Sequence, residues 1–153
     1  MSSPDQITID RQLELAAPID EVWRALTDFE RFGEWFKVRL DKPFQVGEVS
    51  SGEVTYPGYE GMKFWARPEV MDAPTQFRFI WPIEETTLAQ DTDLASKTTC
   101  VDFRLREQDG KTLLTLCESG FENLPKELGK RAFAQNSEGW DGQMLNIADY
   151  LRQ

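Results

Sequence analysis

The 153-residue sequence predicts an α+β domain in which consecutive antiparallel strands are covered by one long C-terminal helix. Three features of the chain predict it. Short segments alternate between apolar and polar residues. A hairpin centred on Asp109–Gly110 brings two apolar faces into coincidence. An apolar stripe recurs at helical spacing near the C-terminus. A chain of this length fits a single domain, residues 1–153. A domain of about 150 residues buries roughly 70% of its unfolded surface, so no disulfide or metal staple is required.

Residues 7–15 alternate, with Ile7, Ile9, Leu13 and Leu15 on one face and Thr8, Asp10, Gln12 and Glu14 on the other. Arg11 falls on the apolar face. Pro18 opens a helix, with Asp20 and Glu21 in the first turn, where negative charge suits the dipole. Ile19, Val22, Trp23 and Leu26 share its inner face. Residues 28–36 (DFERFGEWF) read as a second short helix or a turn, weakened as a helix by Gly33.

Residues 46–56 and 62–71 read as two strands about a turn at Pro57–Gly58, with alternation too poor to orient Tyr56 or Trp65. In residues 75–82, Phe77, Phe79 and Trp81 alternate with Gln76, Arg78 and Ile80, between Pro74 and Pro82. Residues 83–97 read as an extended polar loop. Its carboxylates, Glu84, Glu85, Asp91 and Asp93, lack the glycine turn and terminal glutamate of a calcium loop, and read as solvated.

The hairpin is the sharpest local signal. With Asp109–Gly110 as a two-residue turn, Leu105 faces Leu114, Phe103 faces Leu116 and Val101 faces Glu118. Cys100 and Cys117 then lie diagonally on the opposite face, roughly 7–8 Å apart and too far for an unstrained disulfide. The last segment, Leu124 to Leu151, reads as a helix with Asn123 as N-cap and Pro125 in its first turn. Phe133, Trp140, Met144, Ile147 and Leu151 form its apolar stripe. Gly129, Gly139 and Gly142 each disfavour a helix by roughly 1 kcal/mol relative to Ala, marking a bend or a close approach of backbone to sheet or ligand. If the sheet curls, a cavity lies between it and this helix.

Composition narrows the chemistry. The net charge is −10, from 27 acidic and 17 basic residues, which disfavours nucleic acid and anionic membranes as partners. No apolar run reaches the roughly 18 residues of a membrane span. Met1 to Gln6 are polar and lack a signal peptide's basic and apolar regions, so a cytoplasmic location is expected. Histidine is absent, which removes Ser-His-Asp and Cys-His triads and the usual zinc and haem ligands. No metal or cofactor is expected: the chain has neither a dinucleotide fingerprint nor a cysteine cluster for iron–sulfur.

Five segments in order, APIDEVWRALTD (Ala17–Asp28), GEWF (Gly33–Phe36), FRFIW (Phe77–Trp81), LTLCESGF (Leu114–Phe121) and EGWDGQMLNIADYL (Glu138–Leu151), resemble the bacterial START-like proteins related to the activator of heat-shock protein 90 ATPase. These belong to the START/Bet v 1-like (SRPBCC) superfamily. The resemblance implies the helix-grip fold: a curved antiparallel sheet wrapped around a long C-terminal helix, with two short helices after the first strand. It also implies an internal cavity for a small apolar or aromatic molecule, held by a carrier or sensor.

Trp81, Phe79, Phe103, Trp140 and Met144 are then the expected cavity wall, with Trp35 near the mouth and Tyr56 as a possible hydroxyl. The hairpin register puts Glu118 on the inner face beside Val101 and Leu116. A carboxylate in apolar surroundings can serve as a general acid or base. As a structural acid it would instead pair with Arg11 or with an indole N–H. Arg11 and Glu118 are expected to form the cavity's polar end. Two other functions follow from the resemblance. One is a cyclase or dehydratase using Glu118, with Tyr56, to handle protons; the absence of better acid–base groups makes binding without catalysis the preferred reading. The other is a chaperone partner, although activators of that chaperone carry a second domain as well.

Overall fold

The structure, a computed structural model, describes residues 7–152. Strand β1 (Ile9–Leu15) leads into helices α1 (Ile19–Thr27) and α2 (Phe29–Phe36). Six strands follow: β2 (Val38–Leu40), β3 (Ser50–Val54), β4 (Lys63–Asp72), β5 (Gln76–Pro82), β6 (Thr98–Gln108) and β7 (Lys111–Ser119). Helix α3 (Lys126–Leu151) closes the chain. All neighbouring strands are antiparallel, in the order β1-β7-β6-β5-β4-β3-β2. The sheet curves around α3, giving the expected α+β helix-grip arrangement. No described helix is long and apolar enough to cross a membrane.

The central hairpin has the expected register: Leu105 opposite Leu114, Phe103 opposite Leu116 and Val101 opposite Glu118. Asp109 and Gly110 both have positive φ, 52° and 76°, as a type I′ turn requires. Because side chains alternate with period two, this register fixes which residues of β6 and β7 face α3. β1 extends the same face, with Ile9 opposite Glu118 and Leu13 opposite Leu114.

Residues 28–36 form a helix. The Asp28 carboxylate accepts from the backbone N–H of Glu30 (3.0 Å) and Arg31 (3.2 Å), capping α2. Gly33 weakens that helix but is required in it. A Cβ there would sit 2.3 Å from the Val38 carbonyl oxygen, where the chain doubles back into β2. That three-residue strand is too short to show a period in the sequence.

Two expectations need correction. Asn123 does not cap α3: it ends a 3₁₀ turn, Phe121–Asn123, and Pro125 occupies the cap position without a side-chain cap. Residues 83–97 are not simply a solvated loop. Phe64 packs its ring near Phe36 and Trp81 inside the sheet, so Trp65 points outward. The loop folds over it, and the Trp65 indole N–H donates to the Thr87 carbonyl (2.9 Å). Glu85 accepts from the Lys63 backbone N–H (2.7 Å), fastening the same loop to β4.

The interior is filled with rings. Phe32, Phe77, Phe79 and Phe103 are fully buried. Phe77 and Phe103 stack at 6.4 Å, and Phe32 meets Phe79 edge-on at 6.5 Å. Gly129 lets α3 approach the preceding turn, since a Cβ there would lie 2.9 Å from the Phe121 carbonyl oxygen.

Cys100 and Cys117 are free thiols on the outer face, diagonal across β6 and β7. Burial pushes the Cys100 thiol up to about 11, against the pull of Arg78. Burial, reinforced by Asp10, also pushes Cys117 up to about 11. The thiolate is the reactive form, so at pH 8 both should be alkylated roughly a hundredfold more slowly than in the unfolded chain. Timed thiol titration with and without denaturant measures this. Fast labelling of the native protein would contradict the burial-driven shift.

Candidate functional site

Glu118 is fully buried on the inner face of β7. A carboxylate only accepts hydrogen bonds, and four donors converge on it. The Trp140 indole N–H reaches Oε1 (2.8 Å). Oε2 accepts from the Trp81 indole N–H (3.0 Å), the Thr99 hydroxyl (2.5 Å) and the Asn136 amide (2.9 Å). These donors come from β5, β6 and α3. Asn136 and Trp140 lie four apart on the helix and therefore on one face. None of the described ion pairs includes Glu118. Its charge is held by neutral donors, two of which, the indoles, can do nothing but donate.

The expected Arg11–Glu118 pair is not formed. Arg11 is on the inner face, opposite Leu116, but β1 is an edge strand and the long side chain runs out past the edge to α3. There Nε donates to Asp141 (2.8 Å), and Nη2 donates to the Ser137 carbonyl and hydroxyl oxygens (2.9 Å each). Arg11 thus ties the sheet edge to the helix, while the indole N–H groups take the role expected of it.

Beside Glu118, between α3 and the β5 end of the sheet, lies a pocket of about 160 Å³. Phe36, Trp81 and Trp140 form its apolar walls, and Gln135, Asn136 and Gln143 its polar ones. Gly139 completes the lining. Trp81 stacks on Trp140 at 5.6 Å, and Phe36 stands 5.8 Å from Trp81 and 6.1 Å from Trp140. The pocket adjoins two outer depressions. One, of about 240 Å³, shares Phe36, Trp81 and Asn136 with it; the other, about 630 Å³, shares Gln135, Gly139 and Gln143 and is bounded by Tyr56 and Tyr59.

Of the expected wall residues, Trp81 and Trp140 line this pocket. Phe79 and Phe103 are sealed behind them, 5.4 Å from Trp81 and 5.8 Å from Trp140 respectively. Met144 packs in the core one helical turn beyond Trp140. Trp35 is not at the mouth. It is buried, and its indole N–H donates to the Ala25 carbonyl (2.7 Å), pinning α2 to α1. Its neighbour Phe36 takes the mouth position instead. Tyr56 is exposed beside Tyr59, in the outer groove, and shares no pocket with Glu118.

Phe36, Thr99, Asn136, Gly139 and Gln143 were not anticipated as site residues. Gly139 carried a visible signal, a glycine in a helical pattern. The amides carried none: Asn136 and Gln143 are ordinary helix-surface residues until the fold brings Glu118 beneath one and the Phe36 carbonyl, 3.0 Å away, against the other.

An amide in place of Glu118 can present its oxygen to only one side of the donor set. Its own N–H groups would then oppose a donor. Glu118→Gln is expected to lose roughly 1–3 kcal/mol of stability, and Glu118→Leu, which leaves the Trp140 and Asn136 donors without their acceptor, more. Urea denaturation measures both; a Glu118→Leu protein as stable as the parent would show the contacts to be energetically idle.

Comparison with solved structures returns the same fold in proteins of low sequence identity. Protein MLL2253 from Mesorhizobium loti is 20% identical over 95% of this chain and 97% of its own, with a TM-score of 0.74. A protein from Arthrobacter aurescens is 17% identical over 99% of this chain and 90% of its own (TM-score 0.79). The Aha1 protein from Colwellia psychrerythraea, solved as a dimer, is 14% identical over 95% of this chain and 96% of its own (TM-score 0.70). No curated protein matches. Residues 16–152 match the family described as Activator of Hsp90 ATPase homolog 1-like protein, and the chain belongs to that family.

Proposed function

We propose that this domain binds a small aromatic or apolar molecule in the pocket bounded by Phe36, Trp81, Trp140 and Gly139. The observation that carries this reading is the aromatic corner of Phe36, Trp81 and Trp140, which opens to solvent beside Gly139. Gly139 and Gly142 are both exposed on the helix surface, and a Cβ at either would meet nothing within 4 Å, Gly142 in the adjoining groove. Gly129 earlier in the helix is needed for packing; these two are not. A glycine in a helix interior sacrifices roughly 1 kcal/mol relative to alanine. At Gly139 the missing side chain leaves the aromatic corner uncovered.

The volume selects the size of the occupant. Ligand sites for drug-sized molecules span about 300–1,000 Å³, whereas an apolar cavity of about 150 Å³ holds a benzene ring. At 160 Å³ the pocket admits one ring, with any further substituent lying in the outer groove near Tyr56 and Tyr59. The aromatic interior favours this modest capacity over a lipid-sized cavity. The amides of Asn136, Gln135 and Gln143 supply the few placed polar groups that orient a ligand. An acid–base role for Glu118 is less favoured: the residue does not line the pocket, and four protein donors occupy its oxygens.

Binding should be visible in native mass spectrometry as retained mass, and in titration with single-ring aromatics as a change in the fluorescence of Trp81 and Trp140. Gly139→Ala should raise stability by up to about 1 kcal/mol, while Gly139→Leu should fold yet abolish the fluorescence response. Absence of any response in the parent protein, or an unaltered one in Gly139→Leu, sinks the reading. The family description also names a chaperone ATPase. A rise in that ATPase rate undiminished by Gly139→Leu would place the function on the surface instead.

A further inference from the structure

We infer that the occupant of this pocket carries a positive charge: a protonated amine attached to an aromatic ring. The inference rests on the binding reading above and adds the ligand's chemistry. It stands on the electrostatics of the pocket walls. Glu118 lies directly behind the lining, with no described cation paired to it; its Oε1 accepts the Trp140 indole N–H, and its Oε2 accepts the Trp81 indole N–H, which is shared with the Thr99 hydroxyl oxygen at 3.0 Å. A hydrogen bond to a charged acceptor polarises the donor, so electron density shifts from each N–H into its indole ring. Both rings line the pocket. An electron-rich indole is the best aromatic partner for an organic cation.

Asn136 adds a directed acceptor. Because a carboxylate cannot donate, the Asn136 NH₂ group must be the end that faces Glu118. Its carbonyl oxygen is therefore the free end, and it has no hydrogen-bond partner among the described residues. Asn136 lines both the pocket and the adjoining depression. An ammonium group in the space they share would donate to this oxygen.

The rim has the matching sign. Glu84 and Glu85 border one outer depression, and Glu138 borders the other. Among the described residues, the single basic one on either rim is Lys63, whose ammonium lies 3.7 Å from Glu53. Among the described residues, no basic side chain lines the inner pocket. On a chain of net charge −10, these carboxylates attract cations to the mouth and repel anions. A neutral aromatic gains from the rings alone; an aromatic carboxylate meets the rim, then the field of Glu118.

The test compares three probes of similar size at neutral pH: phenethylammonium, 2-phenylethanol and phenylacetate. Isothermal titration should give phenethylammonium an affinity at least about tenfold above the alcohol, with phenylacetate weakest. In Glu118→Gln, thermally checked for folding, the preference for ammonium over alcohol should fall toward unity while alcohol binding persists. Should that variant fail to fold, Asn136→Leu, which removes the free acceptor, should narrow the same ratio. Equal binding of ammonium and alcohol in the parent protein, or preference for the carboxylate, overturns the charge inference and leaves the aromatic pocket standing. Failure of all three probes to bind overturns both.

Discussion

A buried carboxylate that lacks a cation must be surrounded by donors, and that requirement organises this molecule. Glu118 collects its donors from β5, β6 and α3. Satisfying it fixes the rotation of the long helix about its own axis and its position along the sheet. An apolar core alone is tolerant of such rotations; a set of directed hydrogen bonds is not. With Asn136 and Trp140 turned toward Glu118, Gly139 faces the pocket and Gln143 reaches the Phe36 carbonyl. The indoles of Trp81 and Trp140 are held by their nitrogens, so their stacked rings become fixed walls. The pocket follows from the way the charge was accommodated.

Much of this was legible in the sequence because sheet geometry is discrete. Once Asp109–Gly110 sets the hairpin, each residue of β6 and β7 faces in or out with no intermediate possibility, and Glu118 falls inside. The long helix and the strand carrying Trp81 were readable from periodicity for the same reason. What the pattern does not contain is reach. Arg11 faces inward as its position requires, yet its side chain is long enough to leave the sheet edge and find Asp141 and Ser137. Trp35 and Phe36 are adjacent aromatics on one short helix. Which of them meets α1 and which meets the pocket depends on how α2 docks, a matter of tertiary packing. Strand β2 is too short to carry a period. The loop over Trp65 is recruited by an outward indole whose facing the poor alternation of β4 conceals.

The size of the pocket was also outside the pattern, and for a more general reason. The family and its fold specify a vessel, a curved sheet around a helix. Capacity is set by how much of the vessel its own side chains fill. Here Phe32, Phe77, Phe79 and Phe103 close the interior completely, and Phe44 packs against Phe32 and Phe77. Interiors pack to near crystal density, so these rings leave the pocket at the surface, beside the exposed Gly139 of α3.

On the proposed binding reading, this division separates what stabilises the domain from what would recognise a ligand. The closed phenylalanine core carries burial energy and can be dense because no ligand has to pass through it. On the proposed binding reading, recognition would be confined to the helix surface beside Glu118, where a few positions would decide shape and a single charge sign. The two parts meet at Trp81 and Trp140, which pack on the core through Phe79 and Phe103 and bond to Glu118 through their nitrogens. A substitution at either indole therefore acts on stability and on the pocket together, whereas Gly139 touches the pocket alone. In a fold shared by chains with so little sequence identity, a position of that second kind could reshape the pocket without disturbing the scaffold. On that reading Gly139, more than the aromatic core, is where specificity would be free to vary.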